Sequence, residues 1–91
     1  MVTAIVLLKI SKRHINEVAE KLADIKGISE VYSVSGNFDV VAMVRVKDNE
    51  ALSELVTDKL AQIEPIEKTE TMLAFRAYSK LDLEAMFEVG L

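Results

Sequence analysis

Cysteine and tryptophan are absent from this 91-residue chain, proline and histidine each occur once, and glycine occurs three times. Without cysteine there are no disulfides, no thiolate nucleophile and no Cys-type zinc site. The lone histidine, His14, lies beside Lys12 and Arg13; no second His or Cys converges with it to make a metal site and no Ser/His/Asp order is present, so no metal, no cofactor and no catalytic residue is expected. No Gly-rich phosphate loop occurs, and no low-complexity linker divides the chain. No apolar run reaches the roughly 20 residues that cross a bilayer. The stretch Val2–Leu8 is too short for a secretion signal with its cleavage site, so a cytoplasmic protein without a membrane partner is expected. Basic residues are the minority: 11 Lys and Arg against 15 Asp and Glu give a net charge of -4. A nucleic-acid reader needs a basic footprint, so direct nucleic-acid binding is not expected.

What the chain has is a globular composition, 51% hydrophobic and 29% charged, over the length of one domain. Residues 3–10 form a short, β-branched, nearly all-apolar run, which predicts a buried strand. Ser11 can cap a helix whose apolar stripe is Ile15, Val18, Ala19, Leu22 and Ile25, and Gly27 stands where a left-handed terminator belongs. Residues 28–35 and 38–47 predict two strands joined at Gly36-Asn37. Asp48 or Asn49 caps a second helix with Leu52, Leu55, Val56, Leu60 and Ile63 on its buried side, ended by Pro65. Residues 66–78 predict a fourth strand, polar at its start. Ser79 or Asp82 then caps a short terminal helix over 81–89, with Leu83, Met86 and Phe87 on one face. The expected domain is thus 1–91, with a core over 2–78.

The order βαββαβ with right-handed crossovers gives an α+β, ferredoxin-like fold, a four-stranded antiparallel sheet in the order 4-1-3-2. Strands one and three are the most apolar and suit the centre, while the serine-rich second and the Glu/Lys/Thr-bearing fourth suit the edges. Two helices cover one face only. The sets Ala4, Val6, Leu8, Ile10 and Val40, Ala42, Val44, Val46 should meet the helices. The opposite face keeps an apolar middle of Ile5, Leu7, Val41 and Met43 between polar ends. At ordinary strand spacings it amounts to on the order of 400 Å², more than a monomer usually leaves bare. The expected cover is the same face of a second copy, a two-fold homodimer forming a dimeric α/β barrel. The competing cover is the terminal helix.

Two motifs carry chemistry besides ordinary structure. Gly36-Asn37-Phe38-Asp39 is a hairpin turn, and also a backbone-lined loop whose Asp39 carboxylate suits an ammonium while free N–H groups suit a carboxylate. Thr69 and Thr71, two apart, are ordinary edge-strand residues, and also two hydroxyls on one face that could line a zwitterion site.

With these residues in view, the chain resembles the effector-binding domain of the Lrp/AsnC (feast/famine) regulators. The likeness covers roughly residues 2–78 and rests on the Ser35-Gly36-Asn37-Phe38-Asp39 hairpin, the helix around 52–63 and the strand Lys68-Thr69-Glu70-Thr71. The resemblance implies a ligand-binding and oligomerisation domain whose dimers assemble further, such as into an octamer. It implies amino-acid effectors held between dimers, with Gly36, Asn37 and Asp39 on the α-amino and carboxylate groups and Thr69 and Thr71 opposite. The regulators of this family carry an N-terminal helix-turn-helix, whereas here a strand begins at Thr3. The expectation is therefore a stand-alone, amino-acid-sensing module that acts on transcription indirectly, by mixed assembly with a full-length regulator. Two other readings compete with this one. A cofactorless enzyme on the same barrel needs a polar cluster between sheet and helices, where Val6, Leu8, Val40, Ala42 and Val44 are expected, so no enzyme is predicted. An ACT-like regulatory domain usually has a Gly-rich first loop, and residues 10–14 contain no glycine.

Overall fold

Strand β1 (Val2–Ile10) shows the alternation directly: Ala4, Val6 and Leu8 are wholly buried, Ile5 and Leu7 between them half-buried, and Lys9 exposed. A computed structural model describes residues 1–78, and the helix expected over 81–89 lies outside the described residues. Strand β2 (Ile28–Ser33), strand β3 (Val40–Val46) and strand β4 (Ile66–Leu73) complete one antiparallel sheet. Its order, β2-β3-β1-β4, is the expected 4-1-3-2 read from the other edge, so the fold is ferredoxin-like α+β.

The chain leaves β1 through a 3-10 turn, Lys12–His14, into helix α1 (Ile15–Ala23). The Ser11 hydroxyl does not cap this turn; its carbonyl accepts the His14 N–H at 2.8 Å and its own N–H donates to the Pro65 carbonyl at 3.0 Å. Ser11 therefore ties two connections together through its backbone. Helix α1 buries Val18 and Leu22 and rests Ile15 and Ala19 on the core. Helix α2 (Asn49–Glu54) is capped by Asp48, whose Oδ1 accepts the Ala51 N–H at 2.8 Å. It continues as a π turn, Leu55–Lys59, and a 3-10 turn, Leu60–Gln62.

The expected stripe is present on this second helix, but its spacing explains the π turn. Leu55 and Leu60 are five apart and would diverge by about 140° on a regular α-helix. The Leu60 N–H instead donates to the Leu55 carbonyl, an i→i+5 bond that turns both leucines onto the core.

Helix α1 lies over β2 and β3, and α2 over β1 and β3, closing on Val40, Ala42 and Val44. Strands β2, β3 and β4 are each shorter than expected. Strand β4 ends at Leu73: after Ala4 pairs with Leu73, the Ala74 N–H donates to the Thr3 carbonyl and the chain leaves the strand. Phe75 and Tyr78 follow fully in solvent.

Candidate functional site

Residues 34–39 join β2 to β3, closed by the Val34 N–H donating to the Asp39 carbonyl at 2.9 Å. Gly36 takes a left-handed φ of +112°, which its lack of a Cβ permits, while Asn37 keeps a negative φ. Asp39 is the anchor. Its N–H donates to the Leu8 carbonyl at 2.9 Å, and its Oδ2 accepts the Ile10 N–H at 2.8 Å in a half-buried contact. The start of β3 is thereby clamped to the end of β1, which aims the turn across the sheet towards β4.

Removing that carboxylate orphans a part-buried donor, which costs about 1–3 kcal/mol. Asp39→Ala should lower the melting temperature by on the order of 10 °C for a domain of this size. Asp39→Asn, whose amide oxygen can still accept, should retain most of the difference in a thermal melt.

Beneath the turn lies an open cleft of about 560 Å³ lined by Lys9, Asn37, Phe38, Glu67, Lys68 and Glu70. Lys9 and Lys68 stand directly opposite one another on β1 and β4. The register steps there, from Lys9 with Lys68 to Ile10 with Ile66, and leaves Glu67 without a partner on β1. Such bulges recur beside binding sites because they re-aim side chains. Two facing ammonium groups repel unless an anion lies between them. Two carboxylates, an amide and the half-buried Phe38 ring complete a lining that suits a small zwitterion with an apolar side chain.

Of the residues singled out in the sequence, Gly36, Asn37 and Asp39 come together in the turn. Thr69 and Thr71 do not join them within one protomer. Their partners are Leu8 and Val6, so they lie on the helix side of β4, exposed, beside Val56. The cleft residues that sequence reasoning missed, Lys9, Phe38, Glu67, Lys68 and Glu70, were within reach in principle. Period two puts Lys9 on the open face with Ile5 and Leu7; what the sequence lacks is the register of β4 against β1.

The open face carries Ile5, Leu7, Val41 and Met43 in its middle, all half-buried, with Tyr32 of β2 and Met72 of β4 extending the apolar surface. The Tyr32 phenol donates to the Glu30 carboxylate, and this bond and the neighbouring negative charge hold its pKa above the ordinary tyrosine value. Among the described residues, no three His, Cys, Asp or Glu side chains gather to hold a metal, and no helix is long and apolar enough to cross a membrane.

Residues 3–82 match a family model described as the Lrp/AsnC ligand binding domain. The HTH-type transcriptional regulator FL11 of Pyrococcus furiosus is 33% identical over 79 residues, covering 87% of this chain and 52% of that protein. The chain spans about half the length, or less, of the curated regulators it matches. Among solved structures, TTHA0845 from Thermus thermophilus is 44% identical with a TM-score of 0.83, covering 88% of this chain and 100% of that one. The transcriptional regulator NMB0573 of Neisseria meningitidis, solved as a complex with L-Met, is similar in fold alone: 16% identity and a TM-score of 0.78, over 86% of this chain and 52% of that one.

Proposed function

The chain belongs to the family of Lrp/AsnC ligand-binding domains, and from that premise we propose that it senses a free amino acid in clefts completed by a second copy. The relatives are transcriptional regulators, so the role is regulatory ligand binding. The observation that carries the amino-acid reading is the cleft under the Asp39-anchored turn, where facing Lys9 and Lys68 suit an α-carboxylate and Glu67 and Glu70 an α-ammonium. The L-Met complex of NMB0573 supports the same ligand class.

The protomer leaves this cleft open on one side, and its apolar sheet face is uncovered. In the proposed assembly two copies pack through Ile5, Leu7, Val41 and Met43, and dimers associate into a larger ring such as an octamer. Thr69 and Thr71, on the outer edge strand, then face the turn of a neighbouring copy rather than their own. An effector that binds one assembly state better shifts the population towards it, and mixed assembly with a full-length regulator would carry that shift to transcription. These residues themselves do not contact nucleic acid in this reading, in keeping with their net charge of -4. A catalytic reading has less support, since Val6, Leu8, Val40, Ala42 and Val44 fill the space between sheet and helices.

The test is a thermal shift against the twenty amino acids. A ligand at 100 times its dissociation constant adds about 2.7 kcal/mol, which for a domain of this size raises the melting temperature by on the order of 10 °C. Lys68→Glu should abolish that response while leaving the unliganded protein at least as stable, because a carboxylate opposite Lys9 replaces a like-charge pair. If no amino acid shifts the wild-type melt, the proposal fails.

A further inference from the structure

A second cavity lies at the other end of the sheet, where β3 finishes rather than starts. Asp39 and Lys47 are eight positions apart, so along the strand the two sites are about 25 Å apart. The cavity holds about 360 Å³, within the range of small-molecule sites, and is lined by Lys26, Arg45, Lys47 and Lys59, with Glu54 the one acidic residue; the alternation of β3 turns the Arg45 side chain to the open face and leaves the lysines as the cavity's source of charge. Four of the chain's 11 basic residues thus line one cavity in a protein with 15 acidic ones. The ion pairs formed among the described residues, His14 with Glu17 and Lys21 with Glu17, involve none of these four.

The cations come from three separate parts of the chain. Lys26 precedes β2, Arg45 and Lys47 flank the end of β3, and Lys59 closes the π turn. Bulges of the π kind recur at functional sites. The floor between the cations is apolar and tightly built. The Arg45 N–H donates to the carbonyl of Gly27 at 2.7 Å; Gly27 has φ +102°, and a Cβ on it would stand 3.0 Å from Val46 Cγ1 and 3.1 Å from Leu55 Cδ1. A floor with no slack holds the cavity's shape in the absence of a ligand, which lowers the ordering cost of binding.

We propose that this basin binds a small phosphate-bearing molecule with an apolar body. The three lysines of its lining, Lys26, Lys47 and Lys59, favour a multiply charged anion and repel an ammonium group, which separates this ligand from the amino acid proposed for the cleft under the turn. Long nucleic acid is disfavoured for a different reason: a polyanion senses the field of the whole acidic protein, whereas a small anion senses mainly the local cluster. The apolar floor of Val46 and Leu55 offers a surface to a ligand's body, so a nucleoside monophosphate fits better than phosphate alone.

The experiment is calorimetric titration of the 91-residue chain with adenosine monophosphate, inorganic phosphate and adenosine. The expected result is a dissociation constant for the monophosphate of about 1 mM or tighter, weaker binding of phosphate, and no binding of adenosine. Lys26→Gln with Lys59→Gln should weaken the monophosphate about tenfold or more, at up to about fivefold per lysine. Both positions are exposed, so the fold should tolerate the change, and Lys47→Gln alone provides a second, milder variant. Lys21→Gln, on the outer face of α1, should leave the affinity unchanged. Failure of both phosphate compounds to bind at about 10 mM overturns the proposal. So does equal binding of adenosine, or wild-type affinity in the lysine variants. A changed molecular mass in the double variant would assign the patch to contact between copies, and tighter binding of a short DNA duplex would assign it to nucleic acid; either result also overturns it.

Discussion

In the proposed face-to-face dimer, Met43→Asp should separate the copies into single, folded protomers, read as the loss of the dimer mass in light scattering. Met43 sits in the middle of the open face, opposite Ile5 on β1 and beside Glu30 on β2. In the protomer its side chain is only half-buried, so an aspartate there keeps contact with water and the strand forms with a cost within about 1 kcal/mol. In a face-to-face pair the same carboxylate would be desolvated with no cation opposite, because the middle of the face is Ile5, Leu7 and Val41 and the two-fold brings the same residues over it. An unpaired buried charge costs about 3 kcal/mol or more, which weakens dimerisation by on the order of 100-fold. Circular dichroism should remain that of the parent. Ala42→Asp, one residue away, provides the contrast: Ala42 is wholly buried against the helices, and a charge there should unfold the protomer itself. A Met43→Asp protein that keeps its dimer mass would eliminate the face-to-face arrangement.

That one-residue contrast is the part of the fold the sequence expresses most openly. Uninterrupted Val40, Ala42, Val44 against mixed Asp39, Val41, Met43, Arg45 distinguishes the two faces of β3, and the parallel pattern in β1 assigns both strands to the centre. The sheet order follows from composition. What the pattern does not contain is register. Thr69 and Thr71 share a face by period two, but which face depends on the step at Glu67, a property of how β4 meets β1. Asp39 was legible as a carboxylate beside a turn, yet its partner is a backbone N–H 29 positions away, at Ile10. The π turn is of the same kind. Leu55 and Leu60 both belong to an apolar stripe, and only the demand that both meet the same core surface selects the wider turn. Ser11 has the composition of a cap, but the backbone of Pro65 reaches its N–H, and the chain starts its helix with a 3-10 turn instead.

Gly27→Ala tests a position where the sequence and the packing demand the same residue for two reasons. The first is conformational: at φ +102° a Cβ meets its own backbone, which costs roughly 1–2 kcal/mol. The second is steric. The added carbon would lie 3.0 Å from Val46 Cγ1 and 3.1 Å from Leu55 Cδ1, and Leu55 is held by the π turn and by the core, so it has little room to yield. Overpacking of this kind costs about 1–3 kcal/mol. Together the two give a loss of about 3 kcal/mol, and a fall in melting temperature on the order of 15 °C at this chain length. Gly36→Ala separates the contributions. Gly36 has a similar φ of +112°, but nothing lies within 4 Å of the position its Cβ would take, so only the conformational cost applies. The Gly36 variant should therefore melt between the parent and the Gly27 variant, by roughly 1–2 kcal/mol from the parent. Equal losses at the two sites would mean that Val46 and Leu55 give way, and that the floor of the basic cavity is softer than its contacts indicate.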